Sequence, residues 1–218
     1  MRVFASCVAI ALCAACGQSA TPAAPGAAVP TSTAVVDVDP ARVDRVRAAL
    51  PTGYEFSALP DRAAPVALWG FGPAWTAEPS ACGSLADPAG LHAVHGWSAS
   101  GVGGIVYAVV ADETVGLDQS LVDTCGTWRM SAGHTRGVVT LVHPPAIDGA
   151  ATVGMITDAT TTVEGGIETH SHAQTFIAYL DDHAASVTVV IDPGSSAPSL
   201  GEDVASDLLV KAVAAIRG

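Results

Sequence analysis

From Trp97 to residue 192 the chain is built of short apolar and β-branched runs separated by Gly, Pro and Asp. Residues 105–111, 137–143, 152–157, 169–180 and 186–192 have the content and length of strands. Their connections are short, and short connections join antiparallel neighbours. Upstream, 54–59 and 65–71 read as two shorter strands, and 72–90, rich in Gly, Pro, Ala and Ser, reads as a long loop. Helical spacing appears at both ends. Val43, Val46 and Leu50 repeat along 41–50 behind Asp39-Pro40, an N-cap followed by proline at the first helical position. Val204, Leu208, Lys211, Ala212 and Ile216 keep one register through 202–217, with acidic residues in the first turn where the helix dipole favours them. Residues 117–125 read as a short helix between strands. The pattern predicts a single α+β domain over 37–218, its N- and C-terminal helices packed on one face of a curved antiparallel sheet.

The first residues follow another rule. Arg2 precedes an apolar run, 3–15, that ends in Ala14-Ala15-Cys16, the order of a secretory signal with a lipobox. The run falls short of the roughly 20 apolar residues that span a bilayer, so cleavage fits better than insertion. Cys13 stands three positions before Cys16, where a lipobox ordinarily has leucine. The expectation is a signal segment at 1–16 and acylation, palmitate included, at Cys16. Two or more chains anchor stably, since each buried methylene contributes about 0.8 kcal/mol. Residues 17–36 carry no charge and consist mainly of Ala, Thr, Ser, Pro and Gly, which reads as a tether of roughly 25 Å. The expected location is the extracytoplasmic face of the cell membrane, held by lipid.

Charge narrows the partners. The net charge of −12 comes from 21 acidic residues against nine basic ones, and Lys211 is the only lysine. Such a chain has no basic patch to neutralise phosphates, which argues against nucleic acid, and little to attract it to anionic head groups. Half of the residues are apolar and 14% charged, enough to bury a core.

With Cys7 and Cys13 in the signal segment and Cys16 acylated, Cys82 and Cys125 remain, and two cysteines in an exported domain are expected to pair. The bridge would close a loop of about 43 residues and contribute about 4 kcal/mol on the chain-entropy model.

The stretches that suggest catalysis or a cofactor read otherwise on inspection. Glu168, His170 and His172 alternate on one strand face, and H-x-H can supply two zinc ligands. The outer two stand about 13 Å apart along a strand, too far to share an ion. A solvated face is expected there, with no metal. Gly96-Trp97-Ser98-Ala99-Ser100-Gly101 lacks the spacing of a nucleophile elbow and precedes a strand. Gly101-Val102-Gly103-Gly104 lacks the Lys-Ser/Thr of a phosphate loop and reads as a glycine turn. Asp181-Asp182-His183 reads as a hairpin turn, and His92 and His95 as loop residues. The reading is non-enzymatic, without a cofactor. Trp69-Gly70-Phe71-Gly72-Pro73-Ala74-Trp75 mixes aromatics with glycines as a pocket rim does, making Trp69, Phe71 and Trp75 candidate ligand contacts.

Together, the run Gly96 to Val110, the segment Cys125-Gly126-Thr127-Trp128, Val163 to Gly166 with Thr175 to Tyr179, and Asp207 to Lys211 give the chain a family likeness. It resembles mycobacterial lipoproteins related to the extracellular sensor domain of the serine/threonine kinase PknH, over about 38–217. The resemblance implies an α+β fold with a central cleft for a ligand, anchorage in the envelope, and no established catalytic activity. Sensor domains of that type usually have two disulfides, and this chain can form one. The expected function is ligand binding in a cleft, the ligand an apolar or amphipathic envelope lipid or a protein. The competing reading is a structural or partner-docking envelope protein without a small ligand.

Overall fold

The computed structural model describes residues 37–60, 63–88, 92–112, 115–194, 196–201 and 203–218, without the side chains of His92 and Ala93. The signal segment, Cys16 and the tether lie outside the described residues. The strands are β1 (Glu55–Ser57), β2 (Thr76–Glu78), β3 (His92–Gly101), β4 (Gly104–Asp112), β5 (Thr127–Ala132), β6 (Thr135–Val142), β7 (Ala151–Thr162), β8 (Glu168–Tyr179) and β9 (His183–Ile191). They form one antiparallel sheet in the order β1-β3-β4-β9-β8-β7-β6-β5-β2. A 3₁₀-helix occupies Pro40–Ala49, and the α-helices are α1 (Pro65–Leu68), α2 (Gly83–Ala86), α3 (Gln119–Thr124) and α4 (Val204–Arg217).

Register divides the sheet into two faces. Phe176 and Ala178 of β8 pair with Val187 and Ala185 of β9 and face one way, while Ile177 and Tyr179 face the other. On the first face the N-terminal 3₁₀-helix and α4 lie over β3, β4, β9 and β8, burying Val43, Val46, Trp97, Val106, Val187, Leu209 and Ile216. The expected pairing of both terminal helices on one face is what the structure has. Asp39 caps the first helix through its carboxylate, which accepts from the Ala41 amide at 3.1 Å. Trp97, fully buried, donates its indole N–H to the Val43 carbonyl at 3.2 Å and locks that helix to the sheet. Gly96 makes the packing of β3 on β4 feasible: its φ is +144°, and a Cβ there would stand 2.0 Å from the Ala108 carbonyl oxygen.

The opposite face has a second layer that the sequence pattern does not show. Over β5 to β8, Val66, Trp69, Phe71, Leu85, Trp128, Met155 and Ile177 form another core, closed by the Cys82–Cys125 disulfide with its Cα atoms 5.6 Å apart. Segment 65–71, expected as a strand, is instead α1 and the turn after it. Pro65 suits the first helical position, residues 65, 66, 68 and 69 are buried at helical rather than alternate spacing, and Gly70, at φ +90°, takes up the turn. Segment 72–90, expected as a loop, contains β2, a 3₁₀ turn at Ser80–Cys82 and α2. β5 was not expected either. His92 and His95 belong to β3 rather than to a loop. Both expected turns are present, Val102-Gly103 between β3 and β4 and residues 180–182 between β8 and β9. Asp118 caps α3: it accepts from the Ser120 hydroxyl at 2.6 Å and the Ser120 amide at 2.9 Å, and these bonds hold its carboxyl below the ordinary aspartate range.

A polar groove on the uncovered half of the sheet

Since 3₁₀-helix and α4 cover only one half of their face, the same face of β7, β6, β5 and β2 is bare. Two cross-strand rows furnish it. One runs Glu78, Arg129, Val138, Asp158, His172, and the next runs Thr76, Ser131, Arg136, Thr160, His170. The alternate positions of these strands, Met130, Val139, Met155 and Thr157 among them, are buried in the second core. A period of two therefore delivers every polar side chain of these rows to solvent on one surface.

That surface is a groove of about 670 Å³, lined by Glu78, Arg129, Arg136, Asp158, Thr160 and Glu168 and including the exposed Val138. The volume is in the range of small-ligand sites. Its side chains bond along the rows. Thr76 and Ser131 hydroxyls lie 2.9 Å apart, Thr160 Oγ1 is 3.1 Å from His170 Nδ1, and His172 Nδ1 is 2.7 Å from Asp158 Oδ1. Arg136 Nη2 reaches Glu168 Oε1 at 3.8 Å, a long contact between side chains 72% and 49% exposed, worth little in water. Arg129, opposite Glu78 in register, makes no ion pair among the described residues. Smaller hollows lie at the β3–β4 turn, about 350 Å³, and beside α3, about 210 Å³.

The histidines read from the sequence do share this face with Glu168, and Glu168 lines the groove. Each histidine is bonded across to β7 instead of converging on a common point. Among the described residues no three His, Cys, Asp or Glu side chains are placed to hold a metal ion. The aromatic segment stands elsewhere. Trp69 and Phe71 are core residues, 3% and 4% exposed, and the Trp69 indole donates to Thr175 Oγ1 at 2.9 Å, itself 2.9 Å from Thr188 Oγ1. Trp75 is half-buried and packs on Gly83, where a Cβ would meet its ring at 2.7 Å. So the segment fastens α1 and α2 to the sheet and rims none of the three hollows. Apart from Glu168, the groove residues had no signal in the sequence, because they lie on β2 and β5, which do not read as strands, and on faces of β6 and β7 whose cover depends on the tertiary fold.

A family model described as a domain of unknown function, DUF5642, matches residues 39–217. The chain belongs to the DUF5642 family. This DUF5642 domain has the fold of an uncharacterised Mycobacterium smegmatis protein, an Rv0999 ortholog, at TM-score 0.60 and 22% identity over 84% of this chain and 98% of that one. The extracellular domain of PknH from Mycobacterium tuberculosis is a more distant neighbour, TM-score 0.46 and 12% identity over 83% of this chain and 92% of that one. Both neighbours are mycobacterial proteins. No curated protein matches the DUF5642 sequence. Among the described residues, no helix is long and apolar enough to cross a membrane.

Proposed function

We propose that this DUF5642 protein is a non-catalytic binding lipoprotein of the cell envelope, anchored through Cys16 and offering the groove over β2, β5, β6 and β7 to a ligand. The observation that carries the reading is the groove itself: a concave surface of suitable volume on the half of the sheet that the terminal helices leave bare. Its chemistry suits recognition better than bond breaking. Asp158, Arg136 and Glu168 are 71%, 72% and 49% exposed, and side chains so open to water lack the closed, mutually hydrogen-bonded setting of a catalytic acid–base pair. The lining also moves the expected ligand from apolar towards amphipathic or polar.

The anchor rests on the Arg2, apolar run and Ala14-Ala15-Cys16 order. Cys16→Ala is expected to leave unprocessed precursor and to abolish incorporation of labelled fatty acid, and unchanged labelling would remove the anchor. Binding is tested with Val138→Trp, which fills the groove from an exposed position and leaves the core intact. An envelope extract containing the ligand at about 100 times its dissociation constant should stabilise the unmodified protein by about 2.7 kcal/mol, raising its melting temperature by roughly 5–11 °C. The variant should show no such rise. An equal rise in Val138→Trp, or none in the unmodified protein, counts against the groove.

The docking reading has one observation of its own. Val102 at the β3–β4 turn and Ile167 at the β7–β8 turn are 70% and 65% exposed, and the register puts both turns at the same end of the sheet. Retention of a protein partner by Val138→Trp and its loss on Ile167→Ser would favour that reading.

A further inference from the structure

The groove contains three carboxylates and two guanidiniums in a fixed arrangement. Arg129 and Arg136 are diagonal neighbours on β5 and β6, since Arg129 faces Val138 and Arg136 faces Ser131. Diagonal neighbours have Cα atoms about 7–8 Å apart, within joint reach of one oxyanion by two long side chains. Like charges so placed repel, and the nearby partners relieve little: Arg129 is unpaired among the described residues, and Arg136 has one exposed contact. The carboxylate of Asp158 stands on β7, two strands from Arg129, and that of Glu168 on β8, three strands away, while Glu78 stands opposite Arg129 on β2. Strands are spaced by about 4.8 Å, so Arg129 and Asp158, two strands apart in one row, are about 10 Å apart at the backbone.

A simple anion would meet Arg129 and Arg136 but also three carboxylates, and a simple cation the reverse. A molecule carrying both charges satisfies both sides. We propose that the ligand is a zwitterionic peptide, its carboxylate taken by Arg129 and Arg136 and its ammonium by Asp158 and Glu168. The inference rests on the groove being the ligand site. Guanidinium recognises a carboxylate through paired N–H donors, and Ser131 and Thr160, on either side of Arg136 in its row, add hydroxyls to the lining. Length favours a peptide: at about 3.3–3.6 Å per residue, a tripeptide separates its terminal charges by about 10 Å.

The compact unit Val36–Gly218 is suited to the test. Tri-alanine with free termini, the same peptide amidated at its C-terminus, the same peptide acetylated at its N-terminus, and phosphoethanolamine are titrated by calorimetry and by amide chemical shifts. Free tri-alanine is expected to perturb Val138 and Thr160 amides, and either blocking group to weaken it at least tenfold. Arg129→Gln with Arg136→Gln should weaken the free peptide to a similar degree, after which C-terminal amidation should have no further effect. Equal binding of blocked and free peptides in the groove would overturn the charge assignment while leaving the groove a binding site. Tighter binding of phosphoethanolamine would overturn the peptide assignment. Absence of any zwitterion effect would overturn the inference, and the envelope-extract comparison with Val138→Trp decides the groove independently.

Discussion

Trp97→Ala is expected to lower the stability of the domain by about 3–5 kcal/mol, the usual cost of removing a fully buried aromatic side chain. Trp97 has no solvent exposure, packs edge-on against Phe56 with ring centres 5.3 Å apart, and bonds the Val43 carbonyl. Its loss opens a cavity between the N-terminal helix and β3 and removes the donor to that carbonyl at once. At roughly 2–4 °C per kcal/mol for a domain of this size, the melting temperature should fall by about 6–20 °C in scanning calorimetry. Trp97→Phe keeps most of the apolar area but not the N–H, and should cost an intermediate amount, about 1–3 kcal/mol from the unmet carbonyl. A fall within 1 °C or so in Trp97→Ala, as expected of an exposed position such as Val138, would mean that the ring is not a core residue.

The second large effect belongs to the bridge between Cys82 and Cys125. The cysteines are 43 positions apart, and closing a loop of that length removes denatured-state freedom worth about 4 kcal/mol on the chain-entropy model. Cys82→Ser with Cys125→Ser should therefore reduce the melting temperature by roughly 8–16 °C. Reducing agent should do the same to the unmodified protein and nothing to the double variant. Both sulfurs are buried in the second core, beside Leu85 and Trp128, so loosening is expected first among α1, α2 and β2, not at α4. Two free thiols in the freshly purified domain would contradict the bridge.

What the residues disclosed follows from how local each signal is. The strands β4, β6, β7, β8 and β9 and helix α4 were legible because apolar periodicity over a dozen residues or fewer is set by their own burial. The bridge was legible by elimination, since exported cysteines pair. β2 was hidden because its three residues depend on pairing with β5 for existence, and β5 shows only Trp128 and Met130 as its alternation. α1 was misread because Pro65, Val66, Leu68 and Trp69 fit a short strand as well as one helical turn, and tertiary packing decides between them. The groove was the least legible part. Arg129, Arg136, Asp158 and Glu168 lie on four successive strands, and only sheet register brings them onto one face in adjacent rows. The aromatic segment around Trp69 misled for the converse reason: glycines between aromatic rings mark a tight turn under a helix as readily as a ligand rim.

β8 is shared by two cores that have no other common strand of such extent. Phe176 and Ala178 belong to the layer beneath the terminal helices; Ala173, Ile177 and Tyr179 belong to the layer beneath the disulfide. Opening either layer strips one side of the same strand, and neither half has a boundary of its own at which to come apart. Subglobal unfolding, common where a protein is assembled from separable foldons, is thereby suppressed across the middle of the sheet. Deuterium should enter the amides of β8 only when the whole domain unfolds, so damage under α4 is felt, through that strand, by the surface on the far half that would hold the ligand.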